Sequence, residues 1–118
     1  MDLRTQVKAM DALVAQGEIV KAVEDYFSDT AQTSDYGDIK TSSRGEMVEK
    51  MKGFLAGIQT VNGITHHHTI VGDGVSASEF TFDFDMKDGS KIYWHEVIRR
   101  VWNDAGKVVH EEYFNAQN

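Results

Sequence analysis

The sequence predicts an α+β domain in which the helices come first and pack on one face of a curved antiparallel sheet. Three observations predict it. Apolar residues recur at helical spacing up to about residue 59, the period changes to alternation beyond Gly63, and the alternating segments are separated by short turns that contain glycine. With 118 residues the chain has room for one hydrophobic core, so residues 1–118 are read as a single domain.

In the first helix Leu3, Val7, Met10 and Val14 share a face, and Gly17 follows as a left-handed stop. Glu18 opens a second helix, with Ile19, Val23 and Tyr26 or Phe27 on one side, ending near Phe27. Residues 28–40 are rich in Ser, Thr, Asp and Gly and read as a loop with room for one short strand. Ser43-Arg44-Gly45-Glu46 has the capping-box pattern and precedes a third helix, running to Gln59, whose apolar face is Met47, Met51, Phe54 or Leu55, and Ile58.

Four alternating segments follow, Ile64 to Val71, Ser76 to Met86, Lys91 to Asn103 and Lys107 to Asn115, and these predict a four-strand meander. Lys91 to Asn103 has the densest β-branched and aromatic content and is expected to be a long central strand. Flanked by two antiparallel partners, it would form the floor of a pocket.

Composition narrows the function classes. Twelve Lys and Arg against nineteen Asp and Glu give a formal charge of -7, and no basic run could neutralise several phosphates in a row, which argues against nucleic acid as a partner. No basic, apolar and small-residue leader is read at the N-terminus, and no apolar run approaches the roughly 20 residues of a membrane span, so a soluble, cytoplasmic protein without a membrane partner is expected. The absence of cysteine excludes disulfides, zinc-thiolate sites and cysteine nucleophiles. Chemistry must come from carboxylates, imidazoles, hydroxyls or a bound ion.

Gly17-Glu18-Ile19, Tyr26-Phe27-Ser28-Asp29-Thr30-Ala31 and Val101-Trp102-Asn103-Asp104-Ala105-Gly106-Lys107-Val108, set in this order of helices and strands, resemble the SnoaL-like branch of the nuclear transport factor 2-like superfamily, over nearly the whole chain. The resemblance implies a cone-shaped, cystatin-like sheet wrapped around three helices and dimerisation through that sheet. Its members include ketosteroid isomerases, polyketide cyclases, dehydratases, epoxide hydrolases, accessory subunits and transport factors, so fold alone assigns no activity. The isomerase members use a helix tyrosine, a loop carboxylate and a protonated strand acid. An ungapped alignment puts Met10, Ser34 and Ile98 at those places, with Asp35 beside the second, so steroid-isomerase chemistry is not expected.

Turn lengths suggest a register for the strands. A three-residue loop at Lys87-Asp88-Gly89 sets Phe84 beside Ile92, Phe82 beside Trp94 and Phe80 beside Glu96. A four-residue turn at Asn103 to Gly106 sets Tyr113 beside Glu96 and Glu111 beside Ile98. A three-residue turn at Gly72 to Gly74 sets His66 beside Phe80 and His68 beside Ser78. The concave face then carries Glu96, His66, His68, Glu111 and Tyr113 as acid-base candidates inside a ligand-binding wall of Trp94, Phe80, Phe82 and Ile98. Asp35 and Tyr36, in Asp35-Tyr36-Gly37-Asp38, form a lip. The plainer reading pairs Glu96 and Glu111 with Arg99 or Arg100 on an exposed face.

In His66-His67-His68 two imidazoles point the same way, but no third ligand stands at a recognisable spacing, so no metal is assigned. The opposite face, Val97, Val101, Val108 and Phe114 with Arg99 and His110, suits a homodimer interface. The expected function is binding of a small, largely apolar organic ligand, with cofactor-independent acid-base catalysis of isomerase, cyclase or dehydratase type. The alternative is a non-catalytic ligand-binding or dimerisation module.

Overall fold

The structure, a computed structural model, describes residues 2–117. Three helices, α1 (Leu3–Ala15), α2 (Ile19–Tyr26) and α3 (Arg44–Ala56), pack against one face of six strands: β1 (Phe27–Asp35), β2 (Asp38–Thr41), β3 (Ile58–Val71), β4 (Val75–Met86), β5 (Lys91–Trp102) and β6 (Val108–Asn115). They form one curved, open sheet in the order β2-β1-β6-β5-β4-β3. The α+β architecture is therefore as expected, with two further strands. Among the described residues no helix is long and apolar enough to cross a membrane.

The helix punctuation acts as its residue types require. Gly17 has φ +83, and its neighbourhood closes α1 with Gly17 N–H donating to the Val14 carbonyl (3.0 Å) and Glu18 N–H to that of Leu13 (2.8 Å). At α3, Ser43 Oγ accepts from Glu46 N–H (3.1 Å), while the Glu46 carboxylate accepts from Ser42 N–H (2.8 Å) rather than from that of the cap itself. This helix stops at Ala56, short of Gln59, and the chain enters β3 at Ile58.

Residues 28–40 hold the main departure from expectation. β1 pairs in parallel with β6 and antiparallel with β2, although its sequence has almost no apolar alternation. Phe27 and Ala31 join the core, and buried Thr33 and Ser34 find hydroxyl, imidazole and carboxylate partners in Thr41, His110 and Glu112. A strand whose buried positions are small and hydrogen-bonded leaves little hydrophobic signature.

The long strands carry the core. Val7, Met10 and Val14 of α1, Ala22 and Val23 of α2, and Met47 of α3 pack onto Phe80, Phe82, Phe84, Ile98 and Trp102. The β4–β5 register is the expected one, with Phe80 opposite Glu96, Phe82 opposite Trp94 and Phe84 opposite Ile92.

The other two hairpins differ. Asp73-Gly74 makes a loop of two residues, closed by Gly72 N–H donating to the Val75 carbonyl (2.8 Å), and a bulge near His67 restores His66 opposite Phe80. Between loop and bulge the register is shifted, so Thr69 faces Ser78 and His68 faces Glu79. In the last hairpin Asn103 pairs with Lys107 across a three-residue loop, and a bulge near Val109 adds a second slip. Two one-residue slips displace β6 by two, which changes its partners but keeps its faces. Glu111 lies opposite Arg100, Tyr113 opposite Ile98, and Glu96 opposite Asn115. The same bulge turns Val108 into the core, out of the outer strip to which it was assigned.

Candidate functional site

Helices on one side and the curved sheet on the other leave a cavity of about 550 Å³. Its apolar lining comes from Met10 and Val14 on α1, Ile19, Ala22 and Val23 on α2, Met47, Met51 and Phe54 on α3, Phe82 and Phe84 on β4, and Trp94 and Ile98 on β5. Tyr36, Lys50, Trp94 and Asn115 are its exposed members and mark the mouth. Trp94 is 43% exposed and stacks on Phe54 with ring centroids 5.5 Å apart.

Tyr36 reaches the mouth from a tight turn in which it takes φ +50, before Gly37 at +84. A non-glycine residue rarely adopts that conformation. Here it is held by Asn115 N–H donating to the Tyr36 hydroxyl (2.6 Å), by an edge contact to Phe114, and by Gly37 N–H donating to the Glu112 carboxylate (2.5 Å). The lip read in Asp35-Tyr36-Gly37-Asp38 is thus a β1–β2 turn, and both Asp35 and Tyr36 line the cavity.

Asp35, Glu96, Glu111, Arg100 and Tyr113 form the polar part of the lining. Arg100 is 1% exposed; its Nε donates to Glu111 (2.8 Å) and its Nη1 to Asp11 (2.7 Å). Asp11 accepts further bonds from Ser78 Oγ and Thr69 Oγ1, each 2.8 Å, and Tyr113 O–H donates to the second oxygen of Glu111. The two carboxylates hold the guanidinium's proton affinity above its ordinary range despite burial. Burial, with the Glu111 charge and its hydrogen bond next, raises the Tyr113 hydroxyl well above a free phenol.

Glu96 differs from this network. Among the described residues its carboxyl group has no hydrogen-bond partner, and burial first, then the Glu111 and Asp35 charges, push its pKa up to about 7.

Of the acid-base candidates, the structure brings Glu96, Glu111 and Tyr113 to the cavity, but Tyr113 and Glu96 are not cross-strand neighbours. His66 does not line it: the ring stacks on Phe80, bonds Thr69 Oγ1 (2.5 Å) and lies 3.7 Å from Asp11. His68 is on the outer face, turned there by the bulge near His67, and Phe80 is sealed in the core. Trp94, Phe82, Ile98, Asp35 and Tyr36 line the cavity as placed. The plainer pairing of Glu111 with Arg100 is real but fully buried. Of the isomerase-equivalent positions, Met10 and Ile98 face the cavity, while Ser34 points to His110 and Glu112.

One residue escaped the sequence reading. Asp11 stands on the apolar stripe of α1, four residues after Val7 and three before Val14, an anomaly that signals a buried partner. Arg100 was read as a partner of the acids on an exposed face, but it shares the inward parity of Trp94, Glu96 and Ile98.

No protein-family model matches the sequence, and no curated protein matches it. Solved structures do. A protein described as a candidate SnoaL-like polyketide cyclase from Mesorhizobium loti superposes with TM-score 0.84 at 20% identity, covering 97% of this chain and 99% of that one. An uncharacterised cystatin-fold protein from Novosphingobium aromaticivorans gives 0.82 at 16% identity, with 98% and 99% coverage. A hypothetical protein with a ketosteroid isomerase-like fold from Catenulispora acidiphila, in complex with trimethylamine, gives 0.73 at 13% identity, with 92% and 83% coverage. These likenesses match the superfamily that the sequence resembles, and at such identities they establish the fold.

Proposed function

We propose that this chain binds a small, largely apolar organic molecule in the cavity and exchanges a proton with it through Glu96, without a cofactor. The observation that carries the reading is the Glu96 carboxyl group, set in an aromatic-walled cavity with no hydrogen-bond partner among the described residues. A valine there would avoid the desolvation penalty of a buried carboxylate, so the acid is poorly explained by stability. A pKa of about 7 suits a group that must both take and give a proton at neutral pH. The cavity volume lies in the range of small-molecule sites. Tyr113, held by Glu111, which Arg100 fixes in turn, would orient the ligand. That a protein of this fold has been obtained with a small organic molecule, trimethylamine, is in keeping with the reading. Steroid isomerisation fits poorly, because Met10 and Ile98 offer no hydroxyl donor to an enolate.

The test is proton exchange. Cyclic ketones incubated in D2O near neutrality should exchange their α-protons faster with the unmodified protein than with Glu96→Gln. Equal rates in the two proteins would remove the catalytic role, and an apolar fragment panel that leaves the Trp94 indole resonance unmoved would remove binding as well.

Assembly belongs to the same proposal. Val97, Val101 and Phe114 form a half-buried strip on the outer face, with Arg99 lying over the Phe114 ring, and suit the pairing of two sheets. Light scattering should then give twice the 13.3 kDa chain mass. Val97→Glu should halve it by burying an unpaired charge; an unmodified protein that stays single-chain at high concentration would end the idea.

A further inference from the structure

The charged groups of the cavity do not balance. Arg100 is shared between Glu111 in the lining and Asp11 behind it, so one guanidinium faces two carboxylates. Asp35 adds another and Glu96, when ionised, one more, with no cation in salt-bridge range of either among the described residues. Lys50 lies exposed at the mouth, where water screens it. The cavity thus combines an excess of negative charge with the aromatic side chains of Phe54, Phe82 and Trp94 in its lining, a residue type that attracts cations and covers apolar surface.

We infer that the ligand is an organic cation, a protonated or quaternary amine on a compact apolar body, with its nitrogen at the Glu96 and Asp35 carboxylates and its body against the aromatic wall. This rests on the ligand-binding reading above and names the ligand class of that site. A neutral ligand would leave the carboxylates uncompensated, and an anion would add to their repulsion. The negative potential is felt at Glu96 itself, since the Glu111 and Asp35 charges both strengthen its hold on a proton. A bound cation opposes them, so binding near pH 7 releases a proton from Glu96 and affinity rises with pH. The other titratable groups lining this space are Asp35 on β1, Tyr36 in the β1–β2 turn, Glu111 and Tyr113 on β6, Arg100 on β5 and Lys50 on α3, while His95 of β5 borders it with its ring bonded to Glu79 on the outer face (2.6 Å).

Three naphthalene probes of matched size separate the possibilities: 1-naphthylmethylammonium, 1-naphthylmethanol and 1-naphthoate. They are titrated calorimetrically at about 0.15 M salt, one pH unit above and below the Glu96 midpoint of about 7. At the higher pH the ammonium should bind about tenfold more tightly than the alcohol, with naphthoate weakest. Its advantage should shrink at the lower pH, and Glu96→Gln should lose both the advantage and its pH dependence. Alcohol or naphthoate binding as tightly as the ammonium overturns the charge assignment and leaves the binding reading standing. An advantage that survives Glu96→Gln unchanged also overturns it, and failure of all three probes to bind overturns both.

Discussion

Glu111 and Glu96 stand on the same concave face of neighbouring strands, yet they live in opposite environments. Glu111 accepts from Arg100 and Tyr113 inside a network that reaches back through Asp11 to α1, so its oxygens are occupied by the protein. Glu96, nearer the exposed Trp94, has no such partner among the described residues. A buried acid that the fold satisfies holds the cone together; a half-buried one at the cavity with no partner from the described residues is available to something else.

The comparison breaks most visibly at Arg100. Arg100→Met removes the shared cation and strands Asp11 and Glu111 in the interior, and should lower stability by about 4 kcal/mol in urea unfolding. A loss below about 1 kcal/mol would mean that water already reaches this network.

Glu96→Gln should act in the other direction, and only above a certain pH. The native pKa of about 7 exceeds the ordinary 4.5, so the protonated acid is the form that folding prefers. Its contribution to stability is complete below about 4.5 and is lost as pH rises through about 7. Allowing for residual solvent contact, the amide should therefore be more stable than the unmodified protein by about 2 kcal/mol on the alkaline side and indistinguishable from it on the acid side. Equal pH profiles for the two proteins would place Glu96 in water.

At the mouth the smallest change is expected. Trp94→Ala removes a half-exposed ring stacked on Phe54 and should reduce stability by only about 1 kcal/mol. The ammonium probe should nonetheless lose affinity by severalfold. A large stability loss with unchanged probe affinity would make Trp94 a core residue rather than part of the site.

Much of this was legible in the chain. Periodicity located all three helices and the four long strands, and composition excluded cysteine chemistry. Alternation placed Glu96, Glu111 and Tyr113 inward even though the last register was displaced by two residues, because face depends only on parity. His68 was misplaced because the adjoining hairpin loop has one residue fewer than expected, and the bulge that compensates lies beyond it. β1 was read as loop because its buried hydroxyls have partners from distant segments, and such partners leave no local pattern.

The sequence by itself determined the order of elements, the single core and the inward face of the central strands. These follow from local propensity and from the repeat of apolar residues, which one segment carries on its own. Only the tertiary structure decided which acids are satisfied. Arg100 meets Asp11 across 89 positions of chain and Glu111 across 11, and no spacing rule joins an α1 aspartate to two adjacent strands. Glu96 is left without a partner because the short loop and the single bulge of the last hairpin carry Tyr113 past it to Ile98, so its place in the cavity is a property of the assembled sheet.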